Sequence, residues 1–111
     1  MSKTIELQAA DFAANTSTYL QSVLDGTTII VVVSGQRMLH LSTTRPEGLT
    51  YTLSAMDFGC DVGDYALLVA VHGRNYRVPF VEGAVFVSRA PGYYEEFLDR
   101  WASEWTSSSD F

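Results

Sequence analysis

The feature that most constrains this chain is a match between its two halves. When residues 4–25 are written above residues 50–71, seven of the 22 positions are identical at a constant offset of 46. One inserted residue then aligns Gly26 with Gly73, and a second aligns Gly35 with Gly83. Self-similarity at such a period indicates a repeated structural unit, so the sequence predicts an internal duplication. The identical pairs are Thr4/Thr50, Leu7/Leu53, Ala9/Ala55, Asp11/Asp57, Phe12/Phe58, Tyr19/Tyr65 and Val23/Val69.

The first half shows a succession of four elements. Residues 4–7 alternate in the manner of a strand. The apolar positions that follow Asp11 lie 4, 3, 1, 3 and 1 residues apart, which predicts a helix of about four turns with Asp11 as its N-cap and Gly26 at its end. Residues 27–33 are rich in β-branched side chains and residues 37–41 follow a short turn, so both predict strands of a hairpin. The helical stripe is Phe12, Thr16, Tyr19, Leu20, Val23 and Leu24.

The second half repeats this order. Residues 49–53 predict a strand and Asp57 a helix N-cap. Residues 65–71 taken alone fit a buried strand as well as a helix, but the repeat favours a helix that ends at His72 and Gly73. Residues 75–81 and 84–88 predict the second hairpin, and Pro79 indicates an edge or bulged position. The second stripe is Phe58, Val62, Tyr65, Ala66, Val69 and Ala70.

We therefore predict an α+β protein made of two tandem β-α-β-β units that form a pseudo-symmetric pair. The first unit covers residues 1–42 and the second covers residues 50–89. Residues 43–49 include Pro46 and Gly48 and predict the linker. Residues 90–111 predict a C-terminal amphipathic helix with a frayed tail, in which Pro91 suits a first helical position.

This C-terminal segment combines large apolar side chains at helical spacing with acidic residues. The stripe either packs on the protein's own sheet or docks in the groove of a partner, where aromatic side chains contribute most to binding. The predicted partner-binding residues are Tyr94, Phe97, Leu98, Trp101 and Trp105, with the acids Glu95, Asp99 and Glu104.

Charge narrows the class of partner. The formal net charge is −6, and residues 49–111 hold four arginines against nine acids. Such a surface disfavours anionic partners and favours basic ones. The apolar runs 29–33 and 65–71 are too short to span a bilayer, and no apolar h-region follows the first residues. We expect a cytoplasmic protein that does not bind membranes.

No group of residues predicts catalysis, a cofactor or a metal. A helix start explains both Asp11 and Asp57. His40 and His72 have no acid or cysteine at a ligand spacing. Cys60 is the only cysteine and aligns with a small helical residue, and the glycines match no phosphate-binding pattern. We therefore do not expect an enzyme.

A strand, a helix followed by glycine, and a hairpin with glycine at its turn together resemble the N-terminal domain of Phd/YefM-type antitoxins. The resemblance covers residues 4–42 and, more weakly, residues 50–89. Arg89, Ala90 and Pro91 before an amphipathic segment are similar to the Pro-initiated helix in YefM-like tails. The residues that carry the resemblance in the first half are Ile5, Leu7, Phe12, Tyr19, Leu20, Val23, Gly26, residues 29–33, Gly35 and residues 39–41.

The resemblance implies a homodimerising domain that binds operator DNA and a tail that blocks an RNase-like or Fic-like toxin. A tandem copy implies a pseudo-dimer in one chain, with the second unit always at high effective concentration. Family members place a basic residue in the first helical turns to meet phosphate. Residues 9–15 have none and carry Asp11, and the second copy carries Asp57, Asp61 and Asp64. Since basic contacts supply most protein–DNA affinity, these acids argue against DNA binding by the isolated chain.

The predicted function is an antitoxin-like protein-binding module that neutralises a basic toxin or nuclease through its C-terminal helix. One alternative is a phage- or plasmid-encoded acidic inhibitor of a host nuclease or defence complex, acting through Asp57, Asp61, Asp64 and Glu82. Others are a Phd-like DNA-binding repressor and a structural subunit. The chain is expected to be a monomeric pseudo-dimer or a homodimer.

Overall fold

Six strands form one mixed sheet in the computed structural model, which describes residues 3–93. The strand order is β1-β2-β3-β6-β5-β4. From each edge of the sheet towards its centre, the strands of one half follow as first, second and third, and the two third strands, β3 and β6, pair antiparallel at the centre. In each half the first strand is parallel to the second, and the second and third form an antiparallel hairpin. The predicted α+β class is confirmed. The strands are β1 (Lys3–Gln8), β2 (Thr27–Val33), β3 (Gln36–Ser42), β4 (Thr50–Thr52), β5 (Asn75–Phe80) and β6 (Gly83–Arg89).

Each half has two short helices where a single four-turn helix was predicted. The chain leaves helical geometry at Asn15 (φ −139°, ψ 43°) and at the aligned Asp61 (φ −133°, ψ 41°). Asn and Asp compete with helical hydrogen bonding. The carbonyls of these two residues accept the amides of Tyr19 and Tyr65 at 3.1 and 3.0 Å, so each break starts the next helix. The helices are α1 (Ala9–Ala14), α2 (Thr16–Leu24), α3 (Ala55–Cys60) and α4 (Val62–Ala70).

The predicted N-caps are wrong. Asp11 and Asp57 lie within the first turns of α1 and α3, and Ser54 caps α3 by accepting the Asp57 amide at 3.1 Å. An acid is favourable both as a cap and within the first turn, where it interacts with the helix dipole, so the pattern did not separate the two positions. Before His72 the sequence fitted either a buried strand or a helix, and we predicted a helix. That prediction is confirmed by α4.

The two hairpins differ by one residue, but not where the sequence alignment placed the difference. Val33 pairs with Gln36 and Phe80 with Gly83, so Gly35 lies in a turn whereas Gly83 begins a strand. The extra residue belongs instead to the first hairpin. It forms a bulge in β3 opposite the point in β2, between Val31 and Val32, where the register shifts. A bulge absorbs one residue without ending the pairing. The alignment of Gly35 with Gly83 is therefore wrong.

The edge position expected for Pro79 is confirmed. β4 pairs with β5 only over residues 75–77, so within residues 3–93 no strand lies next to the β5 edge beside Pro79. Proline lacks an amide donor and is tolerated at such an edge.

The core lies between the sheet and the helices and is continuous between the halves. α2 and α4 each pack on both β3 and β6. Phe12 and Phe58 are fully buried, and their ring centroids are 5.5 Å apart in an edge-to-face arrangement. Aromatic pairs of this geometry add to the energy of burial. These two rings join α1 of the first half to α3 of the second.

The core extends past β6 to Tyr93. Ala90 and Tyr93 are buried, and the Ala90 amide donates to the Met38 carbonyl at 3.0 Å. Arg89 Nε donates to the Ala70 carbonyl at the end of α4 at 2.8 Å. The chain therefore leaves the sheet beside the carboxyl end of α4.

Candidate partner-binding surface

The residues predicted to bind a partner lie outside the described part of the chain. They are Tyr94, Glu95, Phe97, Leu98, Asp99, Trp101, Glu104 and Trp105. A candidate site within residues 3–93 has to be found from other side chains.

Exposed apolar side chains distinguish the second half from the first. Among residues 3–93, the large hydrophobic residues with highly exposed side chains all lie between positions 49 and 81. Five of the six positions aligned with them carry polar or small residues, and the sixth carries Ile5; the five are Lys3, Ala10, Gln21, Asp25 and Ser34. The second half therefore offers apolar surface that the first half lacks. The exposed residues are Leu49, Tyr51, Met56, Leu67, Val71 and Val81.

The difference is clearest on the solvent side of α4. Asp64, Leu67 and the C-cap residue Val71 are exposed and lie at spacings of 3 and 4, which places them on one side of the helix, and the exposed Asp61 precedes them as its N-cap. Leu67 is 52% exposed and Val71 50%. We call these four residues the α4 face. The aligned residues of α2 are all polar: Asn15, Thr18, Gln21 and Asp25.

Three carboxylates share one electrostatic neighbourhood around Tyr65. The pKa of the Tyr65 phenol is raised, first by its partial removal from water and then by the charges of Asp57, Asp61 and Asp64, with Tyr76 also contributing. Negative charge nearby disfavours the phenolate. Asp57 therefore extends the negative region that Asp61 and Asp64 form at one end of the α4 face.

Aromatic rings continue this region to the edge of the sheet. The Tyr65 and Tyr76 ring centroids are 5.3 Å apart, and those of Tyr76 and Tyr51 are 6.0 Å apart. The Arg74 guanidinium lies 5.5 Å from the Tyr51 ring centroid, within the range of a cation–π interaction. At this edge of the second half, an arginine side chain therefore contacts the ring of a tyrosine.

Two related grooves lie where the halves meet on the helical side. One, of about 560 Å³, is lined by residues 13–18 and by parts of α3. The other, of about 370 Å³, is lined by the aligned residues 59–64 and by parts of α1. Cys60 is exposed and lines both. The first groove presents Asn15 and Thr18 where the second presents Asp61 and Asp64.

Of the other residues considered from the sequence, Glu82 and His40 lie apart from the α4 face, whereas His72 directly follows Val71. Glu82 is in the β5–β6 turn and lines a groove with Gln21 and Leu24. His40 pairs with Ser88 at the centre of the sheet, and His72 lies in the turn after α4. Residues 3–93 contain no group of three or more His, Cys, Asp or Glu side chains placed to hold a metal ion. Within the same residues no helix has the length and apolar character needed to cross a membrane.

His40 predicts a pH dependence of stability. Burial lowers its pKa from the ordinary value of 6.5. The folded state therefore favours the neutral imidazole, so the contribution is fully present above about pH 6.5 and is lost as the pH falls towards the folded-state pKa. We expect the free energy of unfolding to fall less between pH 7.5 and 5.5 in His40→Gln than in the original chain, measured by urea denaturation. Equal losses in the two proteins would contradict this assignment.

Sequence reasoning did not single out Leu67 and Val71 as surface residues. Apolar side chains at helical spacing predict a buried stripe, and α4 is apolar on several sides. A signal was nevertheless present, because the aligned positions of the first half carry Gln21 and Asp25. The sequences of the two halves should differ most at positions where only one half contacts a partner.

Comparison of the chain with protein-family models, with curated proteins and with solved structures gives no match.

Proposed function

We propose that this chain is an antitoxin-like inhibitor that binds a basic protein, and that its two halves are Phd/YefM-like units packed as a pseudo-dimer. The repeated element order, the central β3–β6 pairing and the contact between Phe12 and Phe58 support the paired arrangement. Joining the units in one chain makes their pairing independent of protein concentration.

The observation that carries the proposal is the clustering of negative charge on the second half. Asp57, Asp61 and Asp64 are exposed and all act on Tyr65. An acidic patch attracts a basic partner and raises the rate of encounter. The same acids repel phosphate, so they favour a protein over operator DNA as the partner.

The predicted C-terminal helix would begin near the carboxyl end of α4, at the end of that helix opposite to Asp61 and Asp64. The segment that begins at residue 94 is attached to the core through the buried Tyr93, and Arg89 contacts the end of α4. A partner held by Trp101 and Trp105 would therefore come close to the second half.

A second candidate function is an acidic inhibitor that needs only the folded surface. The position of the three aspartates around Tyr65 favours it, since they form a negative patch without any contribution from the tail. Glu82, which was expected to take part, lies in the β5–β6 turn beside α2. The patch would then consist of Asp57, Asp61 and Asp64 without Glu82.

Affinity capture from the native host with three full-length proteins tests the proposal: the original chain, Trp101→Ala/Trp105→Ala, and Asp57→Asn/Asp61→Asn/Asp64→Asn. We expect the original chain to retain a small basic protein whose toxicity it suppresses on co-expression. Loss of capture in the tryptophan variant supports the antitoxin-like function, whereas loss in the asparagine variant alone supports the acidic inhibitor. If the original chain retains no basic protein, both candidates are wrong.

A further inference from the structure

We propose that the α4 face is a docking site for a basic amphipathic helix of the partner. This inference rests on the proposed function, because it assumes a basic protein partner, and it adds the place and the structural form of the contact. The four residues of the face, Asp61, Asp64, Leu67 and Val71, combine exposed apolar and acidic side chains on one side of one helix.

The shape of the face suits a helix. Leu67 and Val71 lie one turn apart, and Asp64 precedes Leu67 by three residues. Helices recognise one another through side chains at this spacing. A partner helix with leucines at spacings of three and four would cover Leu67 and Val71, while its flanking lysines or arginines would meet Asp61 and Asp64.

Charge decides which occupant fits. A second copy of this chain would bring a second face that carries two aspartates and no basic side chain, so it would offer no opposite charge to Asp61 and Asp64. Asp57 adds to the negative region, since it acts on Tyr65 together with Asp61 and Asp64. A basic helix places opposite charges at the same positions, so it is the occupant to which the charges point.

The first half provides an internal comparison for this site. α2 presents Asn15, Thr18, Gln21 and Asp25 at the aligned positions and shows no exposed apolar pair among them. If both halves served only to build the sheet, no physical reason would require Leu67 and Val71 to be apolar. Exposure of large apolar side chains favours association and is often a sign of an interaction site.

The test measures binding of the full-length chain to a synthetic peptide. The probe is an amphipathic helical peptide of roughly 14 residues, with leucines at spacings of three and four and lysines elsewhere; a second peptide has glutamates in place of the lysines. The binding variant is Leu67→Gln/Val71→Gln, in which Leu67 takes the residue that α2 carries. The matched control is Val81→Ser, which removes an apolar side chain 104% exposed and away from α4, and replaces it with the residue of the first hairpin turn.

We expect the lysine peptide to bind the original chain and the control equally, and to bind Leu67→Gln/Val71→Gln at least about tenfold more weakly because partial burial of two apolar side chains is lost. Isothermal titration calorimetry gives the affinities, and circular dichroism shows whether each variant keeps its fold. No binding of the lysine peptide, equal binding to all three proteins, or equal binding of the glutamate peptide would overturn the inference.

The same proteins distinguish this failure from failure of the proposed function. If the calorimetry overturns the α4 face but the original chain still captures a basic protein from its host, the function stands and the contact lies elsewhere. Sedimentation at increasing concentration tests whether a second copy of the chain is the occupant. Self-association that Leu67→Gln/Val71→Gln abolishes would assign the face to a second copy of the chain and overturn the inference.

Discussion

Replacing Phe58 by alanine is expected to lower the free energy of unfolding by about 3–5 kcal/mol, the range for removing a fully buried phenylalanine. Phe58 has no solvent exposure, and its ring contacts those of Phe12 and Tyr65 at centroid distances of 5.5 and 6.2 Å. Its loss would leave a cavity between the halves. A domain of this size has a stability of about 5–15 kcal/mol, so the substitution would remove a large part of it.

Urea denaturation followed by circular dichroism measures the effect, and Met56→Ala is the control. Met56 lies in the same helix but is 77% exposed, so its replacement should change stability by less than about 0.5 kcal/mol. A loss below about 1 kcal/mol in Phe58→Ala would contradict the packing of the two halves through this ring.

Replacing Gly59 by alanine is also expected to destabilise the protein. A Cβ atom added there would lie 2.8 Å from Thr16 Oγ1 and 3.1 Å from Thr16 Cβ. The threonine side chain is short and is held by hydrogen bonds to the Phe12 and Ala13 carbonyls, both at 3.2 Å. Gly59→Ala should therefore lower the free energy of unfolding by about 1–3 kcal/mol through overpacking, although alanine is the better helix former.

Two variants make this prediction specific to the contact. Gly63→Ala meets no atom within 4 Å and should raise stability by about 0.4–1 kcal/mol. Thr16→Ala should recover part of the loss in Gly59→Ala, giving a coupling energy of at least about 0.5 kcal/mol in a double-mutant cycle. Stabilisation by Gly59→Ala like that by Gly63→Ala would show that α3 does not approach α2 closely.

Gly59 contacts a residue of the other half, which a sequence comparison of the two halves does not show. The aligned residue of the first half is Ala13, and the residue aligned with Thr16 is Val62. The sequence presents Gly59 as a small helical residue of the second half. Its neighbour in space is 43 positions away in the other half, and only the packing of α3 against α2 shows why it has no side chain.

The breaks between the short helices show a second limit. The apolar stripe from Phe12 to Leu24 fits one continuous helix, because the spacing is helical on both sides of Asn15. Asn15 has non-helical dihedral angles and interrupts the helix, while Phe12, Leu20 and Val23 on its two sides are all buried. The spacing of apolar residues predicts which side chains face the core. It does not predict where a helix changes direction, because that depends on the elements that pack against the helix.

The functional surface was only partly accessible from the sequence. The acids of the second half and their bias against phosphate followed from composition and alignment. The exposure of Leu67 and Val71 did not, since a large apolar residue at helical spacing is more often buried. The predicted partner-binding residues from Tyr94 to Trp105 lie outside the described residues and stay a prediction.

The α+β class, the approximate strand positions, the presence of helical residues between the first and second strands of each half and the unequal distribution of charge could all be predicted from the amino-acid sequence. These properties depend on local periodicity, turn residues and composition, which a chain carries before it folds. The folded structure was needed to show that β3 and β6 join the halves into one sheet, that Phe12 contacts Phe58, and that Leu67 and Val71 are exposed on α4 within residues 3–93. Such contacts connect residues far apart in the chain, so they depend on how whole elements pack and not on the pattern within any one of them.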